Sequence, residues 1–279
     1  MAIRPFVRNF THGRIAIRPY KGDTRLKPNV ILAAPPEELG GARAHGLPIA
    51  HMAYQIGRGF HLLRANIPLS LKGGLMMLGD GGADLDLSDG SPDVLAAEVI
   101  RECIHRGFDG VVLAFQRTSP RLHAAAAVLA GRLRRQGGEL YLPEAYADDS
   151  DWAKVLIPTA ISGGSLTARL AEVAGFYGAE RICLDIERLR MDFCLPADGR
   201  KLSAKELYNL TREREPQAYF SQDLCAYYFT YQDTQGSHFV LYDDAGSVRK
   251  KLFLAKKMGV SGAMLFYPEV GDILAGVLS

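Results

Sequence analysis

At 279 residues, 48% apolar and with a net charge of +2, the chain can bury a large core but offers no basic stripe for nucleic acid. No run of about 20 apolar residues long enough to span a bilayer occurs. The start Met1-Ala2-Ile3-Arg4-Pro5-Phe6 also lacks the apolar core of a signal peptide. The expectation is one domain over residues 1–279, without a membrane span or nucleic-acid partner and retained inside the cell.

In chain order, short apolar runs alternate with helical patterns. Strands are expected at 14–18, 30–34, 52–55 and 75–78, with His51 and Tyr54 bracketing the third of these to line either a cleft or the core. The glycines Gly73, Gly74, Gly79, Gly81 and Gly82 match neither a P-loop nor a dinucleotide fingerprint. Asp84, Asp86 and Asp89 lack the length and terminal Glu of a calcium loop, so an acidic turn is expected there. A helix through Val94, Val99 and Ile100 should stop at Gly107 and hand over to a strand at 111–115, which is apolar without alternation, as a strand covered on both faces is. Gln116 then stands at that strand's exit.

Further on, amphipathic crossover helices are expected at 120–135 and 165–176, strands at 139–142, 155–158 and 181–186, and a capping box at Ser203 and Glu206. Turn residues at 231–237 between two aromatic runs, 226–231 and 238–241, mark an added hairpin. A last strand follows at 263–266. This alternation predicts an α/β fold, a TIM-like (β/α)8 barrel with a β-hairpin added near the C-terminal third, the alternative being an open doubly wound sheet. Neither the four cysteines nor the seven histidines have metal-ligand spacing, so buried free thiols, no metal and no cofactor are expected.

Three segments resemble glycoside hydrolase family 18, the chitinase-like family, and in particular its bacterial branch associated with spores and cell walls. The family's fourth barrel strand reads Asp-Gly-x-Asp-x-Asp-x-Glu. Asp109 and Gly110 match its opening, Val112 and Ala114 stand where two Asp residues follow, and Gln116 stands at the catalytic Glu. The run 181–187 resembles the sixth strand, whose Met-x-Tyr-Asp element holds an acetamido group, with Glu187 at the Asp position. Tyr242-Asp243-Asp244, a following helix and a strand ending in Phe266 resemble the family's final segment, where a Trp usually lies under the sugar.

Polar residues at strand exits beside aromatic ones predict a sugar-sized pocket formed by Gln116, Glu144, Glu187, Tyr228, Tyr242, Asp243 and Phe266, or most of them. The resemblance implies that its ligand is an N-acetylated oligosaccharide, as in chitin or peptidoglycan, and adds a spore compartment as a second location. A neutral amide at position 116 can hydrogen-bond a sugar but cannot give up a proton as a general acid must. The expectation is therefore a non-catalytic carbohydrate-binding or scaffolding protein. One alternative is an active glycoside hydrolase using Glu144 and Glu187 as relocated carboxylates. Another is an assembly protein whose vestigial pocket is filled from the loops at 57–60 or 193–196.

Overall fold

The computed structural model describes residues 29–65, 71–82, 85–194 and 199–279, so the strand expected at 14–18 lies outside the described residues. The chain begins β1 (Asn29–Ala34), α1 (Leu39–Arg43), β2 (Ile49–Ile56), β3 (Leu62–Arg64), β4 (Leu75–Gly79), α2 (Pro92–Arg106), β5 (Gly110–Ala114), α3 (Pro120–Gln136) and β6 (Glu139–Pro143). It continues β7 (Lys154–Pro158), α4 (Leu166–Tyr177), β8 (Ile182–Ile186), β9 (Arg190–Cys194), β10 (Gly199–Lys201), α5 (Ala204–Arg214), β11 (Tyr219–Ser221), β12 (Ala226–Gln232) and β13 (Ser237–Tyr242). It closes with α6 (Ala245–Lys257), β14 (Gly262–Phe266), α7 (Tyr267–Val270) and α8 (Leu274–Leu278).

Strand β1 pairs in parallel with both β2 and β14, and the order β1-β14-β8-β7-β6-β5-β4-β2 runs round to the start. The sheet is a closed parallel barrel, and β3 adds antiparallel to β2 outside the ring. The doubly wound alternative would leave two edge strands, and none remains in this ring. Counted from β1, β5 is the fourth barrel strand, as the Asp109-Gly110 opening implied, whereas β8 is the seventh. The likeness of 181–187 to a sixth strand is therefore corrected. The sixth is β7, and its Leu156-Ile157-Pro158-Thr159 exit carries no carboxylate.

Local chemistry explains the element boundaries. Helix α2 is capped by the Ser91 side chain, which accepts from the Asp93 N–H, and it ends at Gly107 with φ +61°, a left-handed conformation that glycine enters without strain. Ser203 and Glu206 form the expected capping box, and α5 runs from it to Arg214. Gly110 is a packing residue. A Cβ there would lie 2.2 Å from the carbonyl oxygen of Glu139 on β6. Gly110→Ala should thus force β5 and β6 apart and cost about 3 kcal/mol, the upper range of overpacking, read as a lowered urea midpoint with an unchanged slope.

The hairpin β12–β13 is the centre of a larger insertion between β8 and α6. Strands β10-β9-β13-β12-β11 form a five-stranded antiparallel sheet. Alternation gives it two unlike faces. Phe229 and Val240 pack with Leu202 and Leu207 beneath α5, while Leu241 and Ala226 pack on the other face with Leu189, half-buried Phe193, Tyr228 and Phe239, and Ala160 beyond β7. Entry and exit of the insertion meet at one neck. There the Leu189 N–H donates to the Asp243 carboxylate at 3.0 Å, the Asp243 N–H donates to the Leu189 carbonyl at 2.8 Å, and Arg188 Nε donates to the Asp243 carbonyl at 3.1 Å.

Candidate functional site

Side-chain phase within the barrel strands decides what can reach the cleft. Ile31, Ala33, Ala50, Leu75, Val112, Tyr141, Leu156, Cys183 and Met264 form the inner cluster, and their strand neighbours pack outward against the helices. Extending this period of two towards the carboxyl ends of the strands brings Gly79, Ala114, Pro143, Pro158, Asp185 and Phe266 to the mouth, with half-buried Met52 and Met77 as its apolar floor. Across a register shift in β2, Gln55 joins them. Its amide fills the space over Gly79 and accepts the Gly81 N–H at 3.1 Å.

Gln116 is exposed just past β5, one alternation beyond Ala114. Its backbone is held by Asp80, a 4%-exposed residue at the exit of β4. One Asp80 oxygen accepts the N–H of Gln116 at 3.1 Å, the N–H of Arg117 at 2.9 Å and Arg117 Nε at 3.3 Å, and the other accepts the Gly82 N–H at 3.3 Å. Burial works to raise the Asp80 pKa, but these donors outweigh it and hold the carboxyl below the usual range. The site thus has a fixed fourth-strand exit without a carboxylate at positions 112, 114 or 116.

The seventh strand supplies carboxylates instead. Asp185 shares the phase of inward-facing Cys183, and its register partners are Pro158 on β7 and Met264 on β14. Burial, and then the charge of Glu187 two residues on, push its carboxyl up to about 6. Glu187 is exposed and paired with Lys201 Nζ at 2.5 Å, and Lys201 also holds Glu269 at 2.6 Å. Phe266 lies inward and half-buried over the inner cluster, where an aromatic platform was expected.

The other expected lining residues sit elsewhere. Both Glu144 oxygens lie 2.5 Å from Arg169 on α4, so this carboxylate is committed to an ion pair on the helical side of the β6 exit. Tyr228 and Tyr242 project from opposite faces of the insertion sheet: Tyr228 packs with Phe239 on one, Tyr242 with Phe229 on the other, and one pocket cannot hold both. Asp243 is fully buried, taking Lys251 Nζ at 2.6 Å, Ser247 Oγ at 2.7 Å and the Leu189 N–H, which leaves it no surface on which to meet a ligand.

His51 and Tyr54 are core residues. Burial pushes the His51 imidazole down to about 4, its Nε2 lies 3.1 Å from the Gly73 carbonyl, and the Tyr54 hydroxyl donates to Glu102 at 3.0 Å. Phe60 is buried in the outer cluster, not at the barrel centre, and Leu195 and Pro196 lie outside the described residues. Cys103, Cys183 and Cys225 are buried free thiols, while Cys194 is half-buried. Among the described residues no group of three metal-ligating side chains converges, and no helix is long and apolar enough to cross a membrane.

The residues that sequence reasoning passed over are Asp185, Gln55 and Asp80. The signal for Asp185 was its spacing of two from Cys183, readable only once the inner phase of β8 is known.

No protein-family profile matches the chain, and no curated protein matches it in sequence. Solved structures do. The spore cortex-lytic enzyme SleL of Bacillus cereus superposes with a TM-score of 0.65 at 15% identity, covering 90% of this chain and 74% of that one. A chitinase from Chromobacterium violaceum gives 0.68 at 16%, covering 90% and 98%. A class V chitinase mutant from Cycas revoluta, solved with (GlcNAc)3, gives 0.64 at 17%, covering 89% and 98%. Identities this low show a shared fold: the chain has the barrel of chitinases and of spore cortex-lytic enzymes.

Proposed function

We propose that the barrel mouth binds an N-acetylglucosamine-containing glycan, a chitin or peptidoglycan fragment, and that the fourth strand performs no hydrolysis. The observation that carries this reading is the make-up of the mouth: inward Phe266 over Met52 and Met77, with Gln55, Gln116 and Asp185 around it. Apolar surface suits a pyranose face, and a rim of amide and carboxyl groups suits its hydroxyl and acetamido groups. The SleL and chitinase folds support a bacterial spore or cell-wall setting.

Relocation of the missing acid to Glu144 is not favoured, because its ion pair with Arg169 turns it away from the mouth. A protein titrated with chitotriose should show shifts at the Met52, Met77 and Met264 methyl resonances; a spectrum unchanged at millimolar sugar would sink the reading. Gln116→Glu should restore no turnover of a fluorogenic chitobioside. General-acid catalysis contributes about a hundredfold to ten-thousandfold, but only where neighbouring groups tune the acid, and Val112 and Ala114 offer none. Turnover by that variant would show that only the acid was missing.

A further inference from the structure

Carboxylates withdrawn from water in this fold are tied to donors. Asp80 accepts three backbone N–H groups, Asp192 meets Tyr231 and His238, Asp243 meets Leu189, Ser247 and Lys251, and Glu102 meets Tyr54, Arg64 and Arg106. Asp185 departs from this pattern. It points inward on β8, is half-buried, and among the described residues no donor reaches its carboxyl. Its register partners Pro158 and Met264 have no side-chain donor, and Thr159 spends both its N–H and its hydroxyl on the Asp185 backbone carbonyl. A half-buried carboxyl that faces the cleft without a protein donor is left to be satisfied from outside the chain, by water or by a ligand.

We propose that Asp185 is the polar anchor of the barrel mouth, donating a hydrogen bond to an oxygen acceptor of the bound N-acetylated sugar; this rests on the glycan reading above. A carboxylate can only accept, whereas a carboxylic acid donates through its O–H. The surroundings favour the acid. The ionisable groups facing Asp185 are Glu187 and, one alternation deeper on the same strand, buried Cys183, whose thiol burial pushes up to about 12. Strands β7 and β14 bring Pro158, Thr159, Met264 and Phe266, none of them charged, and Lys201 is held by Glu187 and Glu269. Acetamido carbonyl, ring and hydroxyl oxygens of the sugar are suitable acceptors.

A ligand that takes this hydrogen bond binds the protonated form, so its affinity follows the protonated fraction, full below the Asp185 midpoint and lost as pH rises through it. For a midpoint at about 6, the dissociation constant should rise about a hundredfold between about pH 5 and pH 8. Chitotriose titrations of the wild type and of Asp185→Asn at both values test this. The amide keeps an N–H donor and cannot ionise, so the variant should bind equally at both and should exceed the wild type in alkali. Wild-type binding that is equal at both pH values overturns the anchor and leaves the glycan reading standing. No binding by either protein overturns both. A carboxyl-carbon NMR titration of the free protein gives an independent check, since an Asp185 midpoint at the ordinary value of about 4 overturns the proposal without any ligand.

Discussion

Lys251→Met is expected to destabilise the protein by about 3–5 kcal/mol, the cost of removing one partner from a buried ion pair. Lys251 and Asp243 are both fully buried, 2.6 Å apart. With methionine in place, the Asp243 carboxylate keeps its Ser247 and Leu189 donors but loses its counter-charge. It must then take up a proton or draw water into the space between the insertion neck and α6. For a chain of this size each kcal/mol moves the melting temperature by about 2–4 °C, so calorimetry should record a fall of about 6–20 °C. The double variant Asp243→Leu/Lys251→Met should regain part of that loss, because no charge is then left alone. An unchanged melting temperature in Lys251→Met would mean that the pair does not hold the neck.

Asp80→Ala should act at the mouth. It strips the acceptor from the N–H groups of Gln116, Arg117 and Gly82, and each orphaned donor costs about 1–3 kcal/mol, less where water reaches it. A loss of about 3 kcal/mol is expected, together with weaker chitotriose binding and faster hydrogen exchange at the Gln116 and Arg117 amides. The pH dependence has a definite sign. Because the folded Asp80 pKa is depressed, its contribution is complete above the unfolded value of about 4 and is lost as pH falls through the folded value. The stability gap between wild type and variant should therefore close in acid, and a gap that persisted there would assign the loss to packing alone.

The barrel was legible because buried parallel strands and their crossover helices announce themselves, as 111–115 does between Gly107 and the helix opened by Ser119. Rank around the ring was not. The run at 181–186 looks the same as a sixth or a seventh strand until its neighbours are paired, which is why Glu187 was matched to the wrong family element. The insertion was half legible: the aromatic hairpin stood out, but β9 reads Arg-Met-Asp-Phe-Cys and buries its polar residues, Arg190 and Asp192, instead of its apolar ones. At the site, sequence attention fell on Glu187 and passed over Asp185. A strand covered on both faces lacks the alternation that would have shown which of its residues points inward.

The neck at Leu189 and Asp243 closes the insertion like a graft sutured at its base, with Lys201 to Glu269 and the packing on Ala160 as further ties to the barrel. Since the entering and leaving chains are clamped to each other by backbone hydrogen bonds and one carboxylate, what lies between them can lengthen, shorten or exchange its aromatic residues without altering the pairing of β8 with β14. Selection can therefore rewrite this appendage as freely as a surface loop, leaving the eight-stranded ring unchanged. Diversification of relatives built on this plan should gather between the two clamped residues, and recombining that segment alone should be enough to exchange whatever selectivity it carries.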